Sequence, residues 1–103
     1  METYDLLDAL GDPTRRRVFE LLRDGPLPVQ RIAEQLPVSR PAVSQHLRVL
    51  SEAGLVTFRR DGARRLYEVD RDGLAGLRTW IDGFWDNALA RFKQAAEQEG
   101  SRR

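Results

Sequence analysis

Cysteine is absent from this 103-residue chain, and histidine occurs once, at position 46. Without cysteine there is no disulfide, no thiolate metal ligand and no thiol redox sensor. A single histidine cannot supply the clustered ligands of a zinc site. No apolar run reaches the roughly 20 residues of a membrane-spanning helix, and acidic residues begin at Glu2, so no signal peptide is predicted. We therefore expect a soluble cytoplasmic protein with no cofactor, no metal and no membrane partner.

Catalytic groups are equally sparse. Ser44 and His46 are the nearest approach to a nucleophile and its base. Two residues apart on a helix, they point about 160° away from each other, so the imidazole cannot take the hydroxyl proton. The chain also lacks a glycine-rich phosphate loop and paired acids in an apolar setting. The sequence predicts that the protein is not an enzyme.

Charge is unevenly distributed, although the net charge is only +1. Residues 13–67 carry eleven arginines against five acidic residues, whereas residues 1–12 carry four acids and no base. A positively charged centre between acidic or neutral ends indicates a surface that binds phosphates. The termini are then expected to have another role. The length fits one domain, which we place at residues 1–99, followed by a disordered tail at residues 100–103.

The stretch SRPAVSQHLRVLSEA, residues 39–53, predicts a helix with two distinct faces. Ser39 is suited to cap its N-terminus, and Val43, Leu47 and Leu50 form one apolar stripe. The opposite arc carries groups that can bond base edges and phosphates in a major groove: Arg40, Pro41, Ser44, Gln45 and Arg48. A merely solvated face is the alternative for any amphipathic helix, so the neighbouring elements matter.

Three shorter helices precede this one in the pattern. They are expected at residues 4–10, 13–24 and 29–36, and Asp12 caps the second. Arg15, Arg16 and Arg17 on the second helix are expected to be solvated. Only a three-residue turn separates the third helix from residues 39–53, which is the helix-turn-helix arrangement.

A basic hairpin is predicted next, with strands at residues 55–60 and 63–69. Asp61 and Gly62 are a strong two-residue turn signal, which would set Arg60 opposite Ala63, Phe58 opposite Arg65 and Val56 opposite Tyr67. Its tip gathers four arginines: Arg59, Arg60, Arg64 and Arg65. Like charges on a hairpin are unfavourable by themselves, so a phosphate backbone or a minor groove is the expected partner. An edge hairpin kept soluble by charge is the alternative.

The last predicted helix, at residues 72–97, carries a broad apolar face that a small domain cannot cover. A second copy of the same helix would cover it, with the first helix packed alongside, which gives a two-fold dimer. The expected dimer interface comprises Tyr4, Leu6, Leu7, Leu77, Trp80, Ile81, Phe84, Trp85, Leu89 and Phe92. The polar face of this helix is too acidic for a membrane-surface helix. A ligand pocket among the same aromatic residues remains an alternative.

Together these elements predict a mainly α fold with a small β-hairpin, a winged helix-turn-helix of about five helices and a two-stranded wing. Three segments resemble the ArsR/SmtB family of bacterial winged-helix repressors: LGDPTRRRVFELL at residues 10–22, IAEQLPVSRPAVSQHLRVLSEAGLV at 32–56 and RRDGARRLYEV at 59–69. The resemblance covers roughly residues 4–97. Metal-sensing members carry cysteines near the recognition helix, or Asp, His and Glu sets on the last helix, and this chain has no such set. It is similar instead to the branch that senses no metal.

The resemblance implies a homodimeric transcriptional repressor that binds an inverted repeat in double-stranded DNA. The first and last helices would form its dimer interface. The expected DNA-binding residues are Ser39, Arg40, Pro41, Ser44, Gln45, His46, Arg48, Arg59, Arg60, Arg64 and Arg65. His46 lies beside the apolar stripe, so it is expected to be structural or to contact a phosphate. Two alternatives stay open: a regulator that responds to a small molecule at the aromatic interface, and a winged-helix adaptor that binds proteins.

Overall fold

Five helices and three short strands make up the part of the chain that the structure, a computed structural model, describes: residues 3–101, with side chains described for residues 5–100. The elements follow the order α1 (Thr3–Gly11), α2 (Pro13–Leu21), β1 (Leu27–Pro28), α3 (Val29–Ala33), α4 (Arg40–Glu52), β2 (Val56–Asp61), β3 (Arg64–Val69) and α5 (Arg71–Ser101). This is the winged helix-turn-helix architecture that the sequence predicts.

Side chains cap the N-termini of helices α2 and α4. A carboxylate oxygen of Asp12 accepts a hydrogen bond from the Arg15 backbone N–H at 2.9 Å, and proline follows at the first helical position of α2. The Ser39 hydroxyl oxygen accepts one from the Ala42 backbone N–H at 3.2 Å, which caps α4. Both caps confirm the sequence prediction, because each satisfies a backbone donor that the helix leaves unpaired.

Helix α4 ends in a Schellman motif. The Gly54 N–H donates to the Ser51 carbonyl and the Leu55 N–H donates to the Leu50 carbonyl, each at 3.0 Å. Gly54 adopts φ +83°, a left-handed conformation that favours glycine. Leu55 then turns back into the core, where it is completely buried.

The core lies between α2, α3, α4 and the base of the sheet. The stripe of Val43, Leu47 and Leu50 is completely buried, as predicted, and Val18 and Ile32 meet it from α2 and α3. This packing fixes one face of α4 and leaves the other in solvent. Helix α4 is therefore held firmly by its inner side.

Two predicted helix ends are too late. Helix α2 ends at Leu21 instead of residue 24, because the Leu22 and Arg23 N–H groups bond three residues back, to Phe19 and Glu20. Helix α3 ends at Ala33 instead of residue 36 for the same reason: the Gln35 N–H bonds to the Ile32 carbonyl. These tighter bonds turn the chain out of the α-helical path.

Helix α5 is longer than predicted. It runs to Ser101, so Gly100 and Ser101 are helical where the sequence predicts a disordered tail. Residues 102 and 103 lie outside the described residues. No helix in residues 3–101 is both long and apolar enough to cross a membrane.

The sheet differs from prediction in register and in strand number. Asp61 pairs with Arg64, Arg60 with Arg65 and Phe58 with Tyr67, so the two-residue loop is Gly62 and Ala63. Gly62 has φ +64°, and a glycine at the first loop position suits a type II′ hairpin turn. This register places the Phe58 and Tyr67 rings 5.5 Å apart and lets Asp61 bind Arg64 across the strands.

A third strand, β1, was not predicted. Its two residues, Leu27 and Pro28, pair with Tyr67 and Leu66, giving the strand order β1-β3-β2. Since β1 leads directly into α3, the sheet ties the base of the wing to the first helix of the helix-turn-helix.

Candidate nucleic-acid interface

Helix α4 presents its polar arc to solvent. The described side chains of Ser39, Arg40, Pro41, Ser44, Gln45 and Arg48 are all exposed, as a DNA-reading face requires. The buried stripe on the other side prevents rotation of the helix about its axis. Two guanidinium groups, a carboxamide and hydroxyls therefore stand at fixed positions on one surface, and these groups can bond base edges.

Arg48 already has an acidic neighbour on this face. Its Nε lies 3.2 Å from a carboxylate oxygen of Glu52, one helical turn further on, and both side chains are largely exposed. An exposed pair of this kind contributes little stability and exchanges readily for other partners. Arg48 can therefore exchange Glu52 for a base or phosphate.

The four wing arginines divide between the two faces of the hairpin. Arg60 and Arg65 are directly opposed, whereas Arg59 and Arg64 belong to the other face, since alternate residues point to opposite sides. All four are exposed. Because of this alternation, a single flat partner surface cannot contact all four arginines at once.

Two of these arginines have local partners that orient them. Arg64 binds the Asp61 carboxylate through Nε at 3.3 Å and a terminal nitrogen at 3.2 Å. The Arg65 guanidinium lies 4.3 Å from the centre of the Phe58 ring, a cation–π contact. Sequence reasoning gave Phe58 no role at this surface; in the observed register its ring pairs with Tyr67 and also contacts Arg65.

A groove of about 410 Å³ separates the start of α4 from the wing. Its lining comprises Pro28, Val29, Gln30, Arg40, Ser44, Ala63, Arg64, Arg65 and Tyr67. Three arginines and no acidic residue face this groove, so its charge suits an anionic backbone. Gln30, on α3, is a polar lining residue that sequence reasoning missed.

His46 is placed differently from the other predicted DNA-binding residues. It is half-buried, and its Nδ1 is buried with no hydrogen-bond partner among the described residues. The hydrogen bond from the Arg15 backbone N–H lowers the pKa of the Asp12 carboxyl. The half-buried position of His46 fits a structural role; contact with a phosphate stays a prediction.

Two of the three adjacent arginines on α2 are not simply solvated. Arg15 Nε donates to the Ala9 carbonyl at 2.6 Å, and Arg16 Nε donates to the Leu10 carbonyl at 2.9 Å. These carbonyls end α1, where cations are favourable. The excess positive charge of the sequence is thus partly structural, and exposed arginines lie on α2 and α3 as well as on α4 and the wing.

The middle of α5 exposes a strip of large apolar side chains. Phe84 is 62% exposed, Trp85 63% and Phe92 77%, and Ile81 and Leu89 are half-exposed. The helix has 31 residues, about 46 Å at 1.5 Å per residue, and the molecule is 69 Å long but only 26 Å wide. An apolar strip of this size on a projecting helix is typical of an interface.

The remaining residues predicted for the dimer interface are less accessible. Leu6 is only 3% exposed and belongs to the protomer's own core, so its assignment to the interface is wrong. Leu7, Leu77 and Trp80 are half-buried, and Trp80 packs edge-on against Phe84. The side chain of Tyr4 lies outside the described residues. Leu6 faces inward because α1 packs on α2, α4 and α5 of the same chain.

Acidic residues do not assemble into a metal site in the described part of the chain. No group of three or more His, Asp or Glu side chains among residues 5–100 is arranged to hold a metal ion.

Comparison with known proteins agrees with this geometry. Residues 10–58 match a helix-turn-helix domain family. The chain is 52% identical to the HTH-type transcriptional regulator Rv2034 of Mycobacterium tuberculosis, over 97% of each chain. It is 31% identical to the transcriptional repressor SdpR of Bacillus subtilis, over 78% of this chain and 89% of that one.

A solved structure shares the fold. It is the homodimeric winged helix-turn-helix DNA-binding domain of a Mycobacterium bovis protein described as a possible ArsR-family transcriptional regulator. The TM-score is 0.67 at 28% identity, over 84% of this chain and 80% of that one.

Proposed function

This chain belongs to the ArsR/SmtB family of winged helix-turn-helix transcriptional regulators, and we propose that it is a homodimeric repressor that binds an inverted-repeat operator. Helix α4 enters the major groove, and the wing lies on the backbone or in the adjacent minor groove. The single observation that carries the proposal is the exposed polar face of α4 beside a groove lined by three arginines and no acid. We propose the cytoplasm as its location, which a DNA partner supports.

Helix α4 supplies the contacts that read sequence. Gln45 is suited to bond an adenine edge through both its amide atoms, and Arg40 a guanine edge. Ser44 and Arg48 lie on the same exposed arc, and Pro41 can touch a thymine methyl group. Buried Val43, Leu47 and Leu50 keep these side chains in register with the groove, which favours base readout over loose backbone contact.

The wing supplies charge. Arg64 and Arg65 line the groove shared with Arg40, so a phosphate strand that follows α4 meets them next. Arg59 and Arg60 extend the positive tip on the two faces. Contacts of this kind fix the protein on the duplex and release counterions, but carry little sequence information.

Dimerisation through α5 follows from its exposed apolar strip. A second copy of the helix, related by a two-fold axis, covers Phe84 and Trp85 with the same residues of the partner. The homodimeric state of the related Mycobacterium bovis domain supports this arrangement. Two recognition helices then face one side of the duplex about one helical turn apart.

The decisive experiment compares the wild-type chain with Phe84→Arg. Its probe is the inverted repeat that the wild-type protein selects from a random duplex pool. The wild type should be a dimer by light scattering and should bind this probe with a steep salt dependence. Phe84→Arg should be a monomer that binds about 100-fold more weakly, because the second half-site no longer adds to the first.

Thr79→Arg is the matched control, since it adds the same charge to an exposed position on the other side of α5. It should remain dimeric. A Phe84→Arg protein that stays a stable dimer would remove α5 from the interface. A wild-type chain that ignores duplex DNA at low ionic strength would overturn the proposed function.

A further inference from the structure

The start of α5 lies against the end of α4 without room for a side chain. A Cβ atom built on Gly73 would overlap the carbonyl oxygen of Gly54. It would also lie 2.8 Å from the carbonyl carbon of Gly54 and 3.4 Å from the Cα of Leu55. These neighbours are backbone atoms of the Schellman motif that ends α4, so they cannot move aside as a flexible side chain can.

Backbone conformation does not explain this glycine. Gly73 lies in the first turn of α5, and the positive-φ glycines of the described chain are Gly25, Gly54 and Gly62. A glycine with helical dihedrals costs stability relative to alanine, because it loses more conformational freedom on folding. Close approach of the two backbones is the reason that glycine fits at position 73.

A hydrogen bond joins the same two segments. The Asp70 N–H donates to the Leu55 carbonyl at 2.8 Å, and the Leu55 N–H donates to the Leu50 carbonyl of α4. The Asp70 carboxylate in turn accepts the Asp72 N–H at 3.0 Å, which caps the start of α5. The backbone of Leu55 therefore connects the two helices. Its N–H bonds to Leu50 in the last turn of α4, and its carbonyl accepts the Asp70 N–H at the start of α5.

We propose that Gly73 is a positioning residue that sets the spacing between the two half-sites of the operator. It touches no DNA. Its contact with Gly54 fixes the angle between α4, which reads the groove, and α5, which holds the partner copy. In a two-fold dimer that angle determines the separation of the two α4 helices. This inference rests on the proposed function.

The test is Gly73→Ala, with Gly76→Ala as the matched control. A Cβ on Gly76 meets nothing within 4 Å, although it lies one turn further along the same helix. Binding is measured on the inverted repeat selected by the wild type, and on versions with one base pair inserted or removed at the centre. A duplex with a single half-site reports on α4 alone, and light scattering reports on the dimer.

We expect Gly76→Ala to keep the wild-type spacing preference. Gly73→Ala should remain a dimer and bind the single half-site within threefold of the wild type. On the selected repeat it should lose at least tenfold, so that its preference for the original spacing falls or moves by one base pair. An unchanged spacing preference, or an equal loss on every duplex including the half-site, would overturn the inference.

A second pair of variants decides the matter if Gly73→Ala does not fold. Asp70→Pro removes the N–H that binds the Leu55 carbonyl, while Asp70→Ala removes only the carboxylate cap. Asp70→Pro should flatten the spacing preference more than Asp70→Ala; equal preferences would contradict the inference. A wild-type monomer, or a wild type that selects no inverted repeat, would instead contradict the proposed function, so the two failures are distinguishable.

Discussion

Helix α4 and the wing carry similar positive groups, but α4 is anchored in the core whereas the wing is mostly exposed. Helix α4 has a completely buried stripe, a serine cap and a Schellman motif, so its polar face is fixed from behind. Beyond Val56, the residues of β2 are exposed, and two of the wing arginines, Arg64 and Arg65, are oriented by Asp61 and Phe58. A helix that reads bases needs fixed positions, whereas a hairpin that meets phosphates needs mainly charge. The predictions below test this contrast.

The largest expected effect is on the anchoring of α4. Leu47→Ala should lower the free energy of unfolding by about 2–5 kcal/mol, because it opens a cavity under the recognition helix. Phe58→Ala in the wing should cost less, since Phe58 is 41% exposed. Denaturant unfolding of both variants measures the difference. Comparable losses would mean that the wing is anchored as firmly as α4.

Gln45→Ala should weaken binding to the selected inverted repeat by about 1–3 kcal/mol and relax the preference at one base position. Binding to random duplex DNA should change little, because the carboxamide carries no charge. The control is Gln35→Ala, an exposed glutamine just after α3 that does not line the groove between α4 and the wing. Equal loss on selected and random DNA would contradict base reading by α4.

The double variant Arg64→Ala with Arg65→Ala should weaken binding to every sequence and reduce the slope of log affinity against log salt by up to about two. Arg23→Ala with Arg71→Ala removes the same charge from a cleft at the other end of the sheet and should leave the slope nearly unchanged. A slope that stays constant in the wing variant would argue against phosphate contacts there.

Local signals explain what the sequence could predict. Asp12 and Ser39 cap helices through bonds to residues three positions away, and the spacing of Val43, Leu47 and Leu50 alone defines a buried face. The polar face of α4 follows from the same periodicity. These features do not depend on the rest of the fold, so a single sequence contains them.

Contacts between distant segments explain what it could not. The turn preference of Asp61 and Gly62 gave the wrong register, since the Phe58–Tyr67 ring pair and the Asp61–Arg64 ion pair favour another. Strand β1 has only two residues, one of them proline, and no periodicity of its own. The inward position of Leu6 depends on how α1 packs against the other helices.

The exposed apolar strip on α5 links the stability of this protein to its concentration. Whatever covers Phe84, Trp85 and Phe92 binds the folded chain and not the unfolded one, so association adds to stability by mass action. Where a second copy of the chain covers the strip, dilution dissociates the dimer. The melting temperature and the occupancy of the operator then fall together. In the proposed repressor, the concentration of the protein would then set both its stability and its occupancy of DNA.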